Sequence, residues 1–220
     1  MYSLESLPLP RTILWDMDGT LIDQTAAIIR TYGEVIESIN GNRPDPHRIR
    51  RSLGGPMAST LALFVDELQI EEASTRFRNR FPEIMFDGLI VLPGASELVE
   101  DAFEAGITQA ILTNKHGETA RDISEHVGFS KCIPMCIGSK DTDWNKPQPE
   151  LVHHTLTKIN ATIEDACMIG DSPTDVETAR SVEMHCYCVT TGAHSAQELK
   201  DSGADAVFDS LLDIKKAFGF

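Results

Sequence analysis

The fold is decided by the stretch RTILWDMDGT at residues 11–20. Its first half, residues 11–15, is short, mostly apolar and partly β-branched, which predicts a buried strand. Asp16 and Asp18 follow at once, and Gly19 favours a tight turn, so the strand is predicted to end in a polar loop. Ligands of open parallel sheets bind beyond the carboxyl ends of the strands, which makes this loop the first candidate for a functional site.

Beyond residue 90, strand patterns and amphipathic helix patterns alternate along the chain. Such an alternation is typical of a parallel sheet that helices cover on both faces. The predicted fold class is therefore α/β, with a doubly wound parallel sheet. The predicted strands lie at 107–113, 132–137, 166–170 and 185–190, and the predicted helices lie at 95–105, 117–127, after Pro149, at 174–182 and after Ser195.

The segment between the first strand and residue 90 does not follow this alternation. It has a helical pattern throughout, with an apolar stripe at 24–40 and a break at Gly54-Gly55-Pro56. We predict an inserted helical cap domain at 23–90. The α/β core is then formed by residues 1–22 and 91–220.

Composition narrows the class of protein. The 220 residues are 41% hydrophobic and 24% charged, which is ordinary for a globular protein, and no apolar run is long enough to span a membrane. The first twelve residues lack the pattern of a signal peptide, so we expect a cytoplasmic location. The formal net charge of −15 repels phosphate backbones, which disfavours nucleic acid as a partner. The five cysteines include no CxxC pair, and we expect reduced thiols rather than a zinc site.

Four separate segments are predicted to place polar side chains at one rim of the sheet. Carboxylates that gather at one place repel each other, so a divalent cation is expected among them, and Mg²⁺ prefers such oxygen ligands. An Asp carboxylate can attack phosphorus, and a second one nearby can act as general acid and base. A lysine with short hydroxyl or amide donors can hold phosphate oxygens. The rim residues are Asp16, Asp18, Thr113, Asn114, Lys146, Asp171 and Asp175.

These residues stand in motifs that resemble those of the haloacid dehalogenase-like hydrolase superfamily, and within it the phosphoglycolate-phosphatase-like branch. The motifs are DMDGT at 16–20, LTNK at 112–115, NKPQPE at 145–150 and GDSPTD at 170–175, in the order that the family has them. The resemblance runs over nearly the whole chain. It implies a Rossmann-like core with a cap and a magnesium-dependent phosphatase that acts on a small-molecule phosphate ester.

The resemblance also implies a role for each matching residue. Asp16 is the nucleophile and Asp18 the general acid and base. Thr113 and Lys146 bind the transferring phosphoryl group, Asn114 assists, and Gly19 lets the backbone approach the phosphate. The implied magnesium site comprises Asp16, the backbone carbonyl of Asp18, Asp171 and Asp175, where Asp175 acts on a metal-bound water or orients Lys146.

The resemblance also bears on the reaction type. The dehalogenases and the phosphonate-cleaving members lack an aspartate at the position of Asp18, so its presence here favours hydrolysis of a phosphate ester. Phosphoglycolate is the leading substrate, ahead of sugar phosphates, nucleotides and pyrophosphate. Two alternatives stay open: a β-phosphoglucomutase-like phosphomutase, which shares both aspartates, and a non-catalytic regulatory or binding domain. The sequence also leaves open whether the protein is a monomer or a homodimer.

Several of these residues have a plain structural interpretation as well. Asp171 could cap the helix that begins near Pro173, and Asp175 could be a first-turn acid that complements the helix dipole. The basic run of Arg48, Arg50 and Arg51 is usually a solvated helix face, although one of these arginines could contact substrate from the cap.

Overall fold

A six-stranded parallel sheet forms the centre of the computed structural model, which describes residues 7–220. The first strand, β1 (Thr12–Trp15), lies in the middle, paired with β4 (Thr108–His116) on one side and β6 (Ala166–Gly170) on the other. All four residues of β1 are buried, as expected for a strand that is covered on both faces. The order across the sheet is β5-β4-β1-β6-β7-β8, with β1 at Thr12–Trp15, β4 at Thr108–His116, β5 at Met135–Ser139, β6 at Ala166–Gly170, β7 at His185–Val189 and β8 at Ala206–Phe208.

Helices cover both faces of this sheet, and alternate residues of β1 pack against different sets of them. Ile13 and Trp15 belong to one apolar core cluster, whereas Leu14 belongs to a second one on the opposite face. This arrangement confirms the predicted doubly wound sheet. The helices are α5 at Ala95–Glu104, α6 at Gly117–His126, α7 at Pro149–Lys158, α8 at Pro173–Arg180, α9 at Ala196–Ser202 and α10 at Leu211–Phe218.

A second, two-stranded sheet marks where the helical segment leaves and rejoins this layer. Its strands β2 (Ile22–Asp23) and β3 (Ile90–Val91) pair antiparallel, so the two linkers lie side by side. Between them, Tyr32 on the apolar stripe of α1 (Thr25–Asn40) packs against Phe77 of α4 (Ile70–Arg80), with ring centroids 4.4 Å apart. The elements of this segment are α1 at Thr25–Asn40, α2 at Pro46–Arg51, α3 at Met57–Leu61, α4 at Ile70–Arg80, and 3₁₀ turns at Glu67–Gln69 and Phe81–Glu83.

The observed boundaries differ from the predicted ones in a few places. The strand predicted at 132–137 is β5 at Met135–Ser139, because a 3₁₀ turn at Phe129–Lys131 occupies the approach to it. The sequence interpretation contained neither β8 nor α10. Residues 1–6, which belong to the predicted core and to the stretch judged for a signal peptide, lie outside the described residues.

No helix within residues 7–220 combines the length and the apolar content that a membrane crossing requires. All five cysteines are free thiols, and four of them are buried. Burial raises the pKa of the Cys136 thiol to about 12, which keeps it protonated and unreactive at neutral pH.

Candidate active site

Asp16, the predicted nucleophile, directly follows β1 at the carboxyl edge of the sheet. Its side chain is buried, and its Oδ1 atom accepts a 2.6 Å hydrogen bond from Nζ of Lys146. Burial raises the pKa of Asp16 from its ordinary value of 3.8 to about 6, because the carboxylate loses solvation. The Lys146 ammonium opposes this rise, and the Asp175 carboxylate adds to it. Asp16 is thus a desolvated carboxylate that is fixed by one cation.

Lys146 lies beneath the site between two carboxylates, with a side chain that is 1% exposed. Its Nζ atom also donates a 2.6 Å hydrogen bond to Oδ1 of Asp175. Although burial opposes the charged form, the two carboxylates together raise the pKa of Lys146 above its ordinary value, so the ammonium keeps its charge.

Asn114 fixes the main chain of Lys146. Its Oδ1 atom accepts a 2.9 Å hydrogen bond from the Lys146 N–H, and its Nδ2 atom donates to the Lys146 carbonyl at 3.2 Å. The amide of Asn114 therefore holds the loop that carries the lysine. Its predicted role in binding phosphate stays a prediction.

Asp175, in the first turn of α8, has partners at both oxygens. Oδ1 contacts Lys146, while Oδ2 accepts hydrogen bonds from the Asp171 N–H at 3.2 Å and from the N–H and Oγ of Ser172 at 3.0 and 2.7 Å. A carboxylate that is engaged in this way is rigid. Of the two roles that the sequence left open, this geometry favours the one in which Asp175 orients Lys146.

Asp16, Asp171 and Asp175 form a group in which one oxygen of each lies within 4.8 Å of the others. Burial, followed by the negative charges of Asp16 and Asp175, raises the pKa of Asp171 well above its ordinary value. Thr20 donates a 3.3 Å hydrogen bond to Oδ1 of Asp171. Two of these three buried carboxylates, Asp16 and Asp175, pair with the Lys146 ammonium, whereas Asp171 forms no ion pair within the described chain.

This group fits a magnesium ion. Its negative charge exceeds the positive charge of its lysine, and hard carboxylate oxygens are the ligands that Mg²⁺ prefers. Asp16 and Asp171 fit best, because Asp175 is already engaged at both oxygens. The side chain of Asp18 does not belong to the group within the described chain, and its predicted part in the magnesium site through the backbone carbonyl stays a prediction.

Two glycines make room for the Asp171 carboxylate. Gly19 has a φ of +87°, and a Cβ atom there would lie 2.5 Å from Oδ2 of Asp171. A Cβ atom on Gly192, in the loop after β7, would lie 1.6 Å from the same oxygen. Gly19 belongs to the DMDGT motif, but the sequence interpretation missed Gly192, which lies at the edge of the sheet only once β7 is placed beside β6.

Asp18 lies outside this group of carboxylates and pairs with a second lysine, Lys115. Its Oδ2 atom is 2.9 Å from Nζ of Lys115, and its Oδ1 atom is buried with no hydrogen-bond partner in the described part of the chain. Thr113, two residues before Lys115, is buried, and its Oγ1 accepts a 3.2 Å hydrogen bond from the Lys115 N–H. Lys115 belongs to the LTNK motif, but the sequence predicted no role for it.

A cavity of about 450 Å³ lies between this edge of the sheet and the helical segment. The sheet side contributes the predicted nucleophile, acid and threonine, whereas the helical side contributes aromatic rings and two arginines. Of the basic run, Arg50 lines the cavity, and Arg51 instead pairs with Glu198 at 2.8 Å. The lining includes Asp16, Asp18, Thr113, Lys115, Asp171, Tyr32, Arg50, Phe77, Arg78 and Phe81.

Comparison with known proteins gives a family match and several relatives. Residues 13–189 match the family described as haloacid dehalogenase-like hydrolase. A 5'-nucleotidase from Pseudomonas aeruginosa is 30% identical over 86% of this chain and 86% of its own length. A phosphoglycolate phosphatase from Rhodospirillum rubrum is 25% identical over 96% of this chain and 92% of its own length. A pyrophosphatase from Oceanobacillus iheyensis is 26% identical over 93% of this chain and 94% of its own length.

Solved structures show the same fold. A haloacid dehalogenase-like family hydrolase from Streptococcus pneumoniae superposes with a TM-score of 0.85 at 22% identity, covering 99% of this chain and 100% of the other. A hydrolase from Pseudomonas syringae superposes with a TM-score of 0.81 at 25% identity, covering 93% and 96%.

Proposed function

Because the chain belongs to the haloacid dehalogenase-like hydrolase family, we propose that it is a magnesium-dependent phosphatase that acts on a small-molecule phosphate monoester. The observation that supports this proposal best is the buried Asp16 carboxylate, fixed by Lys146 at the wall of the cavity. We further propose that residues 1–22 and 91–220 are the catalytic core and that residues 23–90 are its cap.

The reaction proceeds in two displacements at phosphorus. An oxygen of Asp16 attacks the phosphorus, and the bond to the ester oxygen breaks while Asp18 gives that oxygen a proton. The product is an aspartyl-phosphate at Asp16. Asp18, now a base, takes a proton from a water molecule that attacks the phosphorus, and the bond to Asp16 breaks to release inorganic phosphate.

Positive charge is needed throughout, because the transferring phosphoryl group is anionic. Lys146 is held in place by Asp16 and Asp175 and would contact the phosphoryl oxygens together with Thr113. Asp16, Asp171 and the carbonyl of Asp18 would hold magnesium. When bound, the ion supplies charge that stabilises the phosphoryl oxygens and relieves the repulsion among the carboxylates.

The cavity supports a small substrate. Its volume of about 450 Å³ suits a metabolite, and its walls come from both the core and the helical segment, which limits the leaving group. Phosphoglycolate is the first substrate to test. 5'-Nucleotides and pyrophosphate follow, because relatives of this chain bear those names. The cytoplasmic location stays a prediction, as does the choice between monomer and homodimer.

The test is phosphate release from phosphoglycolate, sugar phosphates, 5'-nucleotides and pyrophosphate, with magnesium or with a chelator. Wild-type protein is compared with Asp16→Asn and with Asp209→Asn, which changes an exposed aspartate that lies outside the cavity lining. We expect magnesium-dependent release by wild type and Asp209→Asn and none by Asp16→Asn. Folded wild-type protein that releases no phosphate from any ester would contradict the proposal, and isomer interconversion in place of release would identify a phosphomutase.

A further inference from the structure

Lys115, near the end of β4, is a buried cation that the proposed mechanism does not use. Its side chain is only 7% exposed, although lysines are rarely buried unless they are paired. It lies at the boundary between the sheet edge and the helical segment and contacts both. Its partners therefore indicate what the charge does there.

The three donors of the Lys115 ammonium face three different groups. Nζ lies 2.9 Å from Oδ2 of Asp18 and donates a 2.9 Å hydrogen bond to Oε1 of Gln24. It also lies 4.8 Å from the centroid of the Phe81 ring, which covers the remaining side as a cation–π contact. A lysine that is surrounded in this way has little capacity left to bind a substrate oxygen.

Gln24 extends this contact to both linkers of the helical segment. It is 2% exposed and stands directly before α1, at the end of the first linker. Its Nε2 atom donates a hydrogen bond to the carbonyl of Met85, which lies just after the 3₁₀ turn that begins the second linker. One continuous set of contacts thus runs from Asp18 through Lys115 and Gln24 to Met85.

Asp18 depends on this set of contacts for its orientation. Lys115 is the one side chain that pairs with its carboxylate within residues 7–220, and the other carboxylate oxygen has no partner there. A general acid must be held within hydrogen-bond reach of the leaving oxygen, so its rotamer matters as much as its acidity. Without Lys115, none of the described side chains would fix that rotamer.

We propose that Lys115 is a positioning residue that orients the Asp18 carboxylate and, through Gln24, ties that orientation to the two linkers of the cap. This inference rests on the proposed phosphatase function, because it gives Asp18 the acid and base role. Lys115 acts through Asp18 and not on the substrate. The consequence is that movement of the linkers changes the position of the catalytic acid.

Kinetics of Lys115→Met test the positioning role. General acid–base catalysis contributes roughly 10²–10⁴-fold, so we expect kcat to fall by about 10–100-fold with KM nearly unchanged. The loss should be larger for an alkyl phosphate, whose leaving oxygen needs a proton, than for an aryl phosphate with an acidic phenol. In Asp18→Asn the further change of Lys115→Met should have little effect, since both act on one function.

The matched control is Lys215→Met, which removes a lysine of α10 that pairs with Asp101 of α5 and lies outside the cavity lining. It should match wild type in kcat and KM. A raised KM with unchanged kcat in Lys115→Met, or a loss confined to esters with an anionic leaving group, would make Lys115 a substrate ligand and overturn the proposal. Losses that multiply in the double variant with Asp18→Asn would overturn it too.

Hydrogen exchange tests the connection to the linkers independently of activity. Lys115→Met should exchange faster than wild type at residues 21–25 and 84–91, while Lys215→Met should not. Unchanged exchange at both linkers would contradict the proposal that Lys115 is tied to the linkers through Gln24. A wild-type protein without phosphatase activity would contradict the proposed function, and the exchange result would still decide whether Lys115 stabilises the linkers.

Discussion

At the residue scale, the site is a balance between buried charges of opposite sign. Lys146 satisfies two carboxylates at 2.6 Å each, whereas Asp171 has no lysine or arginine partner in the described chain. Burying an unpaired charge costs free energy, so the excess of carboxylates over cations destabilises the site through repulsion when no metal is bound. This repulsion is a direct physical reason to expect a cation among the three carboxylates.

The first prediction concerns the pH dependence of stability in the presence of a chelator. The pKa of Asp16 is raised from 3.8 to about 6, so the folded protein disfavours its ionised form. Stability that wild type has below pH 3.8 is lost as the pH rises towards 6. Relative to wild type, Asp16→Asn should therefore become more stable over that range in urea unfolding. A difference that stays flat or reverses would contradict the raised pKa.

The second prediction concerns Lys146→Met in metal-free protein at neutral pH. Removing one partner of a buried ion pair leaves charge uncompensated, so the free energy of unfolding should fall by about 3–5 kcal/mol. The control Lys216→Met removes a lysine that is 61% exposed and should cost less than about 1 kcal/mol. Urea unfolding measures both. Equal effects of the two substitutions would show that the Lys146 contacts contribute little.

At the element scale, the loops after the parallel strands and one loop of the helical segment meet over the site. Gly54, between α2 and α3, has a φ of +105°, and a Cβ atom there would lie 3.2 Å from Cβ of Ser172 in the loop after β6. Gly55 has no neighbour within 4 Å of such an atom. A methyl side chain at Gly54 would therefore press against Ser172, whereas a methyl side chain at Gly55 would meet no other atom.

The third prediction uses this pair of glycines. Gly54→Ala strains a left-handed position by about 1–2 kcal/mol and presses on Ser172, so the loop should shift away from the core. We expect kcat/KM on the best ester to fall by about tenfold, which corresponds to about 1.4 kcal/mol. Gly55→Ala should stay within about twofold of wild type. Equal kcat/KM values for the two variants would show that the contact at Gly54 is not needed.

At the scale of the whole molecule, a net charge of −15 surrounds a site that must bind an anion. Exposed charges act over roughly 10 Å at moderate ionic strength, so the cations that line the cavity count for more than the distant acidic surface. Arg50 and Arg78 supply this local charge from the helical side of the cavity. The acidic surface therefore remains compatible with a phosphate ester as substrate.

The sequence allowed the sheet and most of the rim to be predicted, because parallel strands end at one edge and the motifs follow those strands. It did not reveal side-chain partners that are distant along the chain, such as Lys115 and Gln24, which are 91 residues apart. β8 was missed because its three half-buried residues are too short for a pattern. α10 was predictable from the helical spacing of Leu211, Ile214 and Phe218.

Phosphorylation of Asp16 is the step on which the proposed function depends, and trapping the aspartyl-phosphate tests it. Asp18→Asn should slow hydrolysis of the intermediate, and an aryl phosphate needs no acid to form it. After magnesium, aryl phosphate and a rapid acid quench, peptide mass spectrometry should find one phosphoryl group on Asp16. The double variant Asp16→Asn, Asp18→Asn should carry none. Phosphate release by wild type without any phosphoryl group on Asp16 in Asp18→Asn would contradict a mechanism through aspartyl-phosphate.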